Sequence, residues 1–245
     1  MDETLSEADA FVVTSVSAKT LFESMSAACR SKGCQVIPHG RDFHMIEPID
    51  GETDCHARVL VPGNISVAKG ANLIAGLTLI DRKIEFELDF LGRVSATIPQ
   101  NAGVFHGEYD RADFGLHVAR IRPTIALVLS IWPETYCHTL TECWAAGIPV
   151  VAIDMGAVGE RLRQHGGGWL LPPSATAADV HDAIVLALTR ADELEQKRRE
   201  VRAWQVGYGA RRSIAAMAAD YSALYERTLA QRQIFRESCR TERTA

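Results

Sequence analysis

The sequence of 245 residues has no apolar run long enough to cross a bilayer; its longest runs are the length of a β-strand. It also has no excess of positive charge: 26 Lys and Arg stand against 31 Asp and Glu, a formal net charge of −5. That balance argues against a chain that grips nucleic acid by neutralising its phosphates. It leaves room for a small phosphorylated ligand, which a few N–H groups and one lysine can hold. Cysteine is present but unpatterned. Cys29, Cys34, Cys55, Cys137, Cys143 and Cys239 form no C-x-x-C and join no His/Cys cluster of zinc spacing. Reduced, mostly buried thiols are therefore expected, and a metal site is not. G-x-G-x-x-G and G-x-x-x-x-G-K-[ST] are both missing, which leaves a dehydrogenase or a P-loop ATPase without motif support. The opening MDETLSEADA is acidic and lacks a charged-then-apolar signal plan, so a cytoplasmic chain is expected.

What is there is an ordinary globular balance, 47% hydrophobic and 23% charged residues. Short β-branched apolar runs alternate with longer amphipathic stretches, the pattern of an α/β fold with a parallel sheet flanked by helices on both faces. The runs Ala10–Thr14, Gln35–Ile37, Ala57–Val61, Phe86–Leu91, Ile125–Leu129 and Pro149–Ile153 read as strands. Their apolar character is continuous rather than alternating, as in strands buried on both faces. Helices are expected over Ala18–Cys29, Gly70–Leu79, Arg111–Ile121, Leu140–Ala146, Ala157–His165, Ala175–Arg190, Asp192–Trp204 and Ala210 to about Ala230. A proline- and glycine-rich stretch between Ile37 and Ala57 reads as a linker. The expected organisation is a first region over 1–50, a main α/β domain over 51–230 and a polar tail over 231–245.

The densest segment for chemistry is SIWPETYCHTLTECWAAGIPVVAIDMGAVGER. An apolar strand, Ile125–Leu129, runs into a loop and then into a helix that begins near Thr139 or Leu140. This places the free N–H groups of a helix N-terminus at the carboxyl end of the sheet, where they attract phosphate. Two carboxylates bracket the loop, Glu134 and Glu142, with seven residues between them. A carboxylate near a helix start can accept from paired sugar hydroxyls; it can equally do no more than stabilise its helix. His39, His106 and His117 have irregular spacing and read as loop or satisfied core histidines, whereas His138 falls inside the segment. Trp132 and Trp144 read as packing residues, and Asp110 as a capping acid of the helix that follows it.

PETYCHTLTECWAAGIPVVA resembles the E-x7-E signature of family 4 glycosyltransferases, retaining enzymes built from two Rossmann-like domains facing a cleft, the GT-B arrangement. GAVGERL is similar to that family's small-residue turn followed by an acid, here Glu160, and HGGGWLL to its N-G-x-L-V segment. VPGNISVAKG looks like its first strand and phosphate loop, and VIPHGRDF like its interdomain linker. The matches run in the family's order from about Ala10 to Leu171. The resemblance implies a nucleotide-sugar-binding Rossmann-like domain, with residues 1–50 corresponding to a remnant of the other domain plus the linker. Glu142 would hold the ribose hydroxyls and Glu134 the donor sugar. Lys69 would neutralise the diphosphate, with Gly63 and Asn64 in the same loop. The N–H groups of His138, Thr139 and Leu140 would meet the distal phosphate, and the base would lie by Leu91–Gly92. Glu134 and Lys69 are thus the catalytic candidates, with no metal and no cofactor beyond the UDP- or GDP-type donor itself. Asn64 stands where the family has arginine; Arg93, Arg111 and Arg41 are the candidate replacements. Thr135-Tyr136-Cys137 stands where it has a glycine-rich turn.

The function implied is a glycosyltransferase of hexosyltransferase type, or its donor-binding half, acting in polysaccharide biosynthesis on an unknown glycan or small-molecule acceptor. The alternative is a non-catalytic nucleotide-sugar-binding module that needs a partner chain; a sugar epimerase of the same two-domain fold is a third reading. Nucleic acid is not an expected partner, membrane association is not evident, and a homodimer is left open. Glu142→Ala is expected to weaken nucleotide binding by about 1–3 kcal/mol, because ribose hydroxyls lose their acceptor. Titration calorimetry reads this directly, and wild-type affinity in the variant would refute the assignment.

Overall fold

A computed structural model describes residues 5–43, 46, 57–80 and 86–242, with side chains as far as residue 234. Most of the expected linker lies outside these residues. The chain forms two compact units, Met1–Asp42 with Arg211–Ala245, and Phe43–Ala210.

The first unit begins with β1 (Phe11–Val13), α1 (Val16–Met25), α2 (Ala27–Lys32) and β2 (Cys34–Val36). Its two strands pair in parallel. Where one helix is expected over Ala18–Cys29, the structure has two, broken at Ser26. That residue is extended (φ −125°, ψ 127°), and its hydroxyl accepts from the Cys29 N–H at 3.3 Å. Serine competes for backbone groups in this way, so it starts a second helix instead of continuing the first.

The second unit runs β3 (Ala57–Pro62), a 3₁₀ turn (Val67–Lys69), α3 (Ala71–Leu77), β4 (Phe86–Leu91), β5 (Val104–Phe105), α4 (Phe114–Ile121), β6 (Ile125–Val128) and α5 (His138–Ala145). It continues with β7 (Val150–Ile153), α6 (Gly156–His165), β8 (Gly168–Leu171), α7 (Ala177–Thr189) and α8 (Ala191–Trp204). The six strands form one parallel sheet in the order β5-β4-β3-β6-β7-β8. This is a Rossmann-like doubly wound order, whose direction reverses between β3 and β6.

Continuous hydrophobicity has its reason here. Val59, Val61, Leu88, Phe90, Ile125, Leu127, Val151 and Ile153 pack on one face with α3 and α7. Leu60, Leu91, Ala126, Val128, Val150 and Ala152 alternate with them and pack on the other face with α4, α5 and α6. A strand covered by helices on both sides has no position left for a solvated side chain.

Two strands are missing from the sequence reading. β5 is only two residues long. β8 lies against a run of three glycines, which reads as a loop. Its own Gly168 is needed by the sheet, since a Cβ there would lie 2.2 Å from the carbonyl oxygen of Val150. Helix starts also moved. A turn closed by Asp113 N–H to the Asp110 carbonyl delays α4 to Phe114, so Asp113, not Asp110, occupies the N-cap.

The first unit is completed by α9 (Ile214–Glu242), which runs on through most of the residues expected as a polar tail. Arg212, just before α9, donates to the Pro38 carbonyl and pairs with Asp220 on the helix. Gly40 is a glycine by necessity: a Cβ there would lie 2.1 Å from the Ser213 carbonyl oxygen.

Phe90 is fully buried on β4 and stacks on Phe105 with ring centroids 4.6 Å apart. Phe90→Ala is expected to destabilise the second unit by about 3–5 kcal/mol through lost burial and a residual cavity. Urea unfolding followed by circular dichroism would show the lower midpoint.

Candidate functional site

The site is built where β3, β4 and β6 end. β3 runs into Gly63 (φ 95°) and β4 into Gly92 (φ 128°), two left-handed positions that glycine adopts at little cost. Their backbones touch: a Cβ on Gly92 would lie 2.2 Å from the Gly63 carbonyl oxygen. A Cβ on Gly63 would in turn meet the Thr139 hydroxyl at 3.1 Å, which brings the first loop against the start of α5. Beyond Gly63 the loop carries exposed Asn64 and closes in the 3₁₀ turn that ends on Lys69.

From β6 the chain passes through Ser130 to Glu134. Lys69 Nζ lies 2.5 Å from Glu134 Oε1, and the Ser130 hydroxyl donates to the same oxygen. Gly156 at the start of α6 packs against the Glu134 backbone, whose carbonyl accepts from the Ala157 N–H at 2.9 Å. The acid is therefore fixed through its backbone by α6 and through its side chain by Lys69. A small, partly open cavity of about 30 Å³ is lined by this pair.

α5 begins at His138, earlier than the sequence suggests, because Cys137 takes a left-handed conformation (φ 69°, ψ 87°) at the N-cap. His138, Thr139 and Leu140 are thus the first three residues of the helix, whose opening N–H groups have no intrahelical acceptor. Leu140 is fully buried, so it can offer a ligand only its backbone. The earlier start moves Glu142 from the expected first turn into the second. There it is 2% exposed and accepts from the Tyr109 hydroxyl at 3.0 Å. A carboxylate so placed lies past the first turn, and it is in the first turn that the pull of the helix dipole is strongest.

One cleft of about 290 Å³ gathers Gly63, Asn64, Gly92, His138, Thr139 and Glu142, together with Arg93, Glu108, Tyr109 and Arg111. Lys69 and Glu134 line the smaller cavity next to it, with Asn64 and Thr139 shared by both. The sequence-predicted residues thus converge on adjoining walls at the reversal of strand order. Of the arginines considered as replacements at position 64, Arg93 and Arg111 stand on the cleft. Arg93 is exposed and forms a two-bond pair with Glu108, at 3.2 and 3.1 Å. Arg41 belongs to the other unit.

Two side chains at the site carry no signal in the sequence, and a third differs from its expected role. Tyr109, the partner of Glu142, carries no motif. Trp132, expected to pack, is 60% exposed beside Glu134, unlike Trp144, which is fully buried and donates to the Gly167 carbonyl. Arg161 on α6 is buried, yet it donates to the carbonyls of Tyr136 and Cys137, both at 3.0 Å, and to the Thr141 hydroxyl at 2.8 Å. Its guanidinium also lies 4.4 Å from the Tyr136 ring centre and 5.3 Å from that of Trp144. Burial pushes its pKa below the usual arginine value. Of the expected core histidines, His106 bonds the fully buried Asp89 at 2.7 Å. Among the described residues, no group of three or more His, Cys, Asp or Glu is gathered as a metal site, and no helix is long and apolar enough to cross a membrane.

Comparison with known proteins now bears on this geometry. Residues 101–204 match the family described as glycosyl transferases group 1. No curated protein matches the chain. Among solved structures, sucrose-phosphate synthase from Thermosynechococcus elongatus superposes with a TM-score of 0.73 at 19% identity, over 94% of this chain and 61% of that one. The Anabaena protein Alr3699/HepE in complex with UDP-glucose gives 0.70 at 15% identity, over 92% of this chain and 66% of that one. WaaG, a glycosyltransferase involved in lipopolysaccharide biosynthesis, gives 0.69 at 16% identity, over 86% of this chain and 61% of that one. The parallel sheet flanked by helices matches the Rossmann-like fold found in GT-B glycosyltransferase structures. The chain spans less than two thirds of the length of these structures. The family match includes Glu134, Glu142, Tyr109 and Arg161 but stops short of the Gly63–Lys69 loop.

Cys29, Cys34, Cys137 and Cys143 are free and buried. Burial, with the Glu134 charge nearby, pushes the Cys137 thiol from its usual 9.0 up to about 12. A raised thiol pKa favours the protonated form in the fold, so the stability it contributes is present below about pH 9 and is lost as pH rises toward 12. Native Cys137 is expected to resist iodoacetamide at about pH 8.5 and to react once the chain is unfolded. Peptide mass spectrometry after alkylation checks this; rapid labelling of the native protein would contradict it.

Proposed function

We propose that the chain is the donor-binding half of a retaining, family 4-type glycosyltransferase that uses a nucleoside-diphosphate hexose. The observation that carries this reading is the convergence of three ligand-binding devices on adjoining walls at the β3/β6 reversal. They are the Lys69–Glu134 pair, the N-terminus of α5, and the buried Glu142 held by Tyr109. Each suits a different part of one molecule. Glu142, in the interior of the cleft, suits the paired hydroxyls of a ribose. The N–H groups of His138, Thr139 and Leu140 suit a phosphate. Lys69 is a compact positive charge that can turn from Glu134 to the diphosphate, releasing the carboxylate to accept from sugar hydroxyls. A UDP- or GDP-type donor fits this division of labour, and a neighbouring fold is known in complex with UDP-glucose.

In this reading the acceptor oxygen bonds to the anomeric carbon as the bond between that carbon and the diphosphate breaks; the electron pair leaves with the diphosphate, which takes up the acceptor hydroxyl's proton. Once Lys69 has turned to the bound diphosphate, it and the helix N–H groups are in place before that charge develops, so little reorganisation is needed when it does. The chain supplies stabilisation of the leaving group. Orientation of the acceptor hydroxyl, which transfer also requires, rests with whatever holds the acceptor. Donor binding without transfer is the signature of the alternative, a nucleotide-sugar module that works with a partner.

Calorimetry with UDP and GDP, followed by an assay of donor hydrolysis, tests the proposal. Lys69→Ala is expected to weaken diphosphate binding by about 1.5–3 kcal/mol, because a charge-assisted contact is lost and Glu134 is left facing the phosphates. Failure of the wild-type protein to bind any nucleoside diphosphate would overturn the donor reading.

A further inference from the structure

Arg161 is a buried cation with no place in the leaving-group chemistry above, and its contacts fall on a single feature. Its Nη1 holds two successive carbonyls, those of Tyr136 and Cys137, and its Nη2 holds Thr141 on α5. Cys137 is one of only two non-glycine residues with positive φ among those described. Such a conformation costs roughly 1 kcal/mol or more in a residue with a Cβ and persists only where its surroundings impose it. At the N-cap, Cys137 offers only a weakly accepting sulfur in place of a capping oxygen. What imposes the turn is the guanidinium, whose fork can hold several acceptors in a fixed geometry.

The consequence follows from the peptide bond itself. No described peptide is cis. In a trans peptide plane the C=O and the following N–H point in opposite directions. Drawing the carbonyls of Tyr136 and Cys137 toward Arg161 therefore turns the N–H groups of Cys137 and His138 away from it. Cys137, His138 and Thr139 line the two cavities at the β3/β6 reversal, and Arg161 lines neither. The stack of Tyr136, Arg161 and Trp144 then closes the far side of the loop against the core.

We propose that Arg161 is the positioning residue of the diphosphate site, holding the glycine-free turn Thr135-Tyr136-Cys137 so that its N–H groups face the ligand. This rests on the donor reading above. It assigns to a side chain on α6 the task that conformational freedom performs in a glycine-rich turn.

The test compares binding of UDP or GDP, whichever the wild-type protein prefers, with binding of the parent nucleoside. Calorimetry serves the first and ligand-observed NMR the second. Arg161→Met keeps an unbranched apolar stem but removes every side-chain donor. It is expected to weaken diphosphate binding about tenfold or more, as expected for losing aligned N–H donors to an anion, while nucleoside binding changes by no more than about twofold. Adding Cys137→Gly should restore much of the loss, because glycine adopts the left-handed turn unaided. Equal weakening of both ligands would mark Arg161 as merely structural, and no weakening of either would also overturn the proposal. If Arg161→Met fails to fold, Arg161→Lys, which cannot span the three acceptors, is held to the same split between ligands. A wild-type protein that binds the nucleoside diphosphate normally alongside an indifferent Arg161→Met removes only the positioning role. One that binds no nucleoside diphosphate removes the donor reading as well.

Discussion

The whole carboxyl edge of the sheet depends on β3 and β6 lying side by side while the chain leaves them in opposite directions. β3 leads through Gly63 and Lys69 toward α3 on one face, and β6 leads through Glu134 toward α5 on the other. No connection crosses above the pair, so a crevice is left there whatever the side chains are. Backbone contact then narrows it. Gly63 and Gly92 meet, Gly63 meets Thr139, and Gly156 meets Glu134, each at a distance that excludes or crowds a Cβ. The crevice is thus shaped by glycines at the ends of β3 and β4 and at the start of α6, while its chemistry comes from the residues between them.

Much of this could be read along the chain because it depends on order and spacing. Runs such as Val59–Val61 and Val150–Ile153 show buried parallel strands, since both faces need apolar residues. Glu134 and Glu142 lie on one loop and the helix it feeds, so their separation in sequence translates into neighbouring cavities. What stayed hidden depends on contacts between distant segments. Tyr109 is a tyrosine among polar residues until α4 and α5 pack and bring its hydroxyl to Glu142. Arg161 reads as one more charge in GAVGERL, and nothing local indicates that α6 turns it inward toward Tyr136 and Cys137. β8 was hidden for the opposite reason: its glycines suggest a loop, whereas Gly168 is small so that the β7 backbone can approach. α5 starts one to two residues before the expected Thr139 or Leu140 because a cysteine in the left-handed region is not a local signal for a helix cap.

The non-glycine turn and the lost cation at position 64 bear on the same ligand. In the proposed reading an arginine in the first loop would reach a diphosphate from solvent, as Lys69 would. Asn64 cannot, and the two arginines on the cleft lie at its exposed mouth, where salt screens a charge and Arg93 is already paired with Glu108. Arg161 is different in kind. It is enclosed by protein, so its charge is weakly screened, and it lies behind the opening of α5, where the helix dipole is already positive. In the proposed reading an anion on the cleft side meets both like fields without touching Arg161. A turn strained and charged in this way favours binding of phosphate over binding of the nucleoside alone. The departure from the glycine-rich pattern and the buried arginine are therefore two halves of one arrangement, in which a rigid turn takes over from a flexible one.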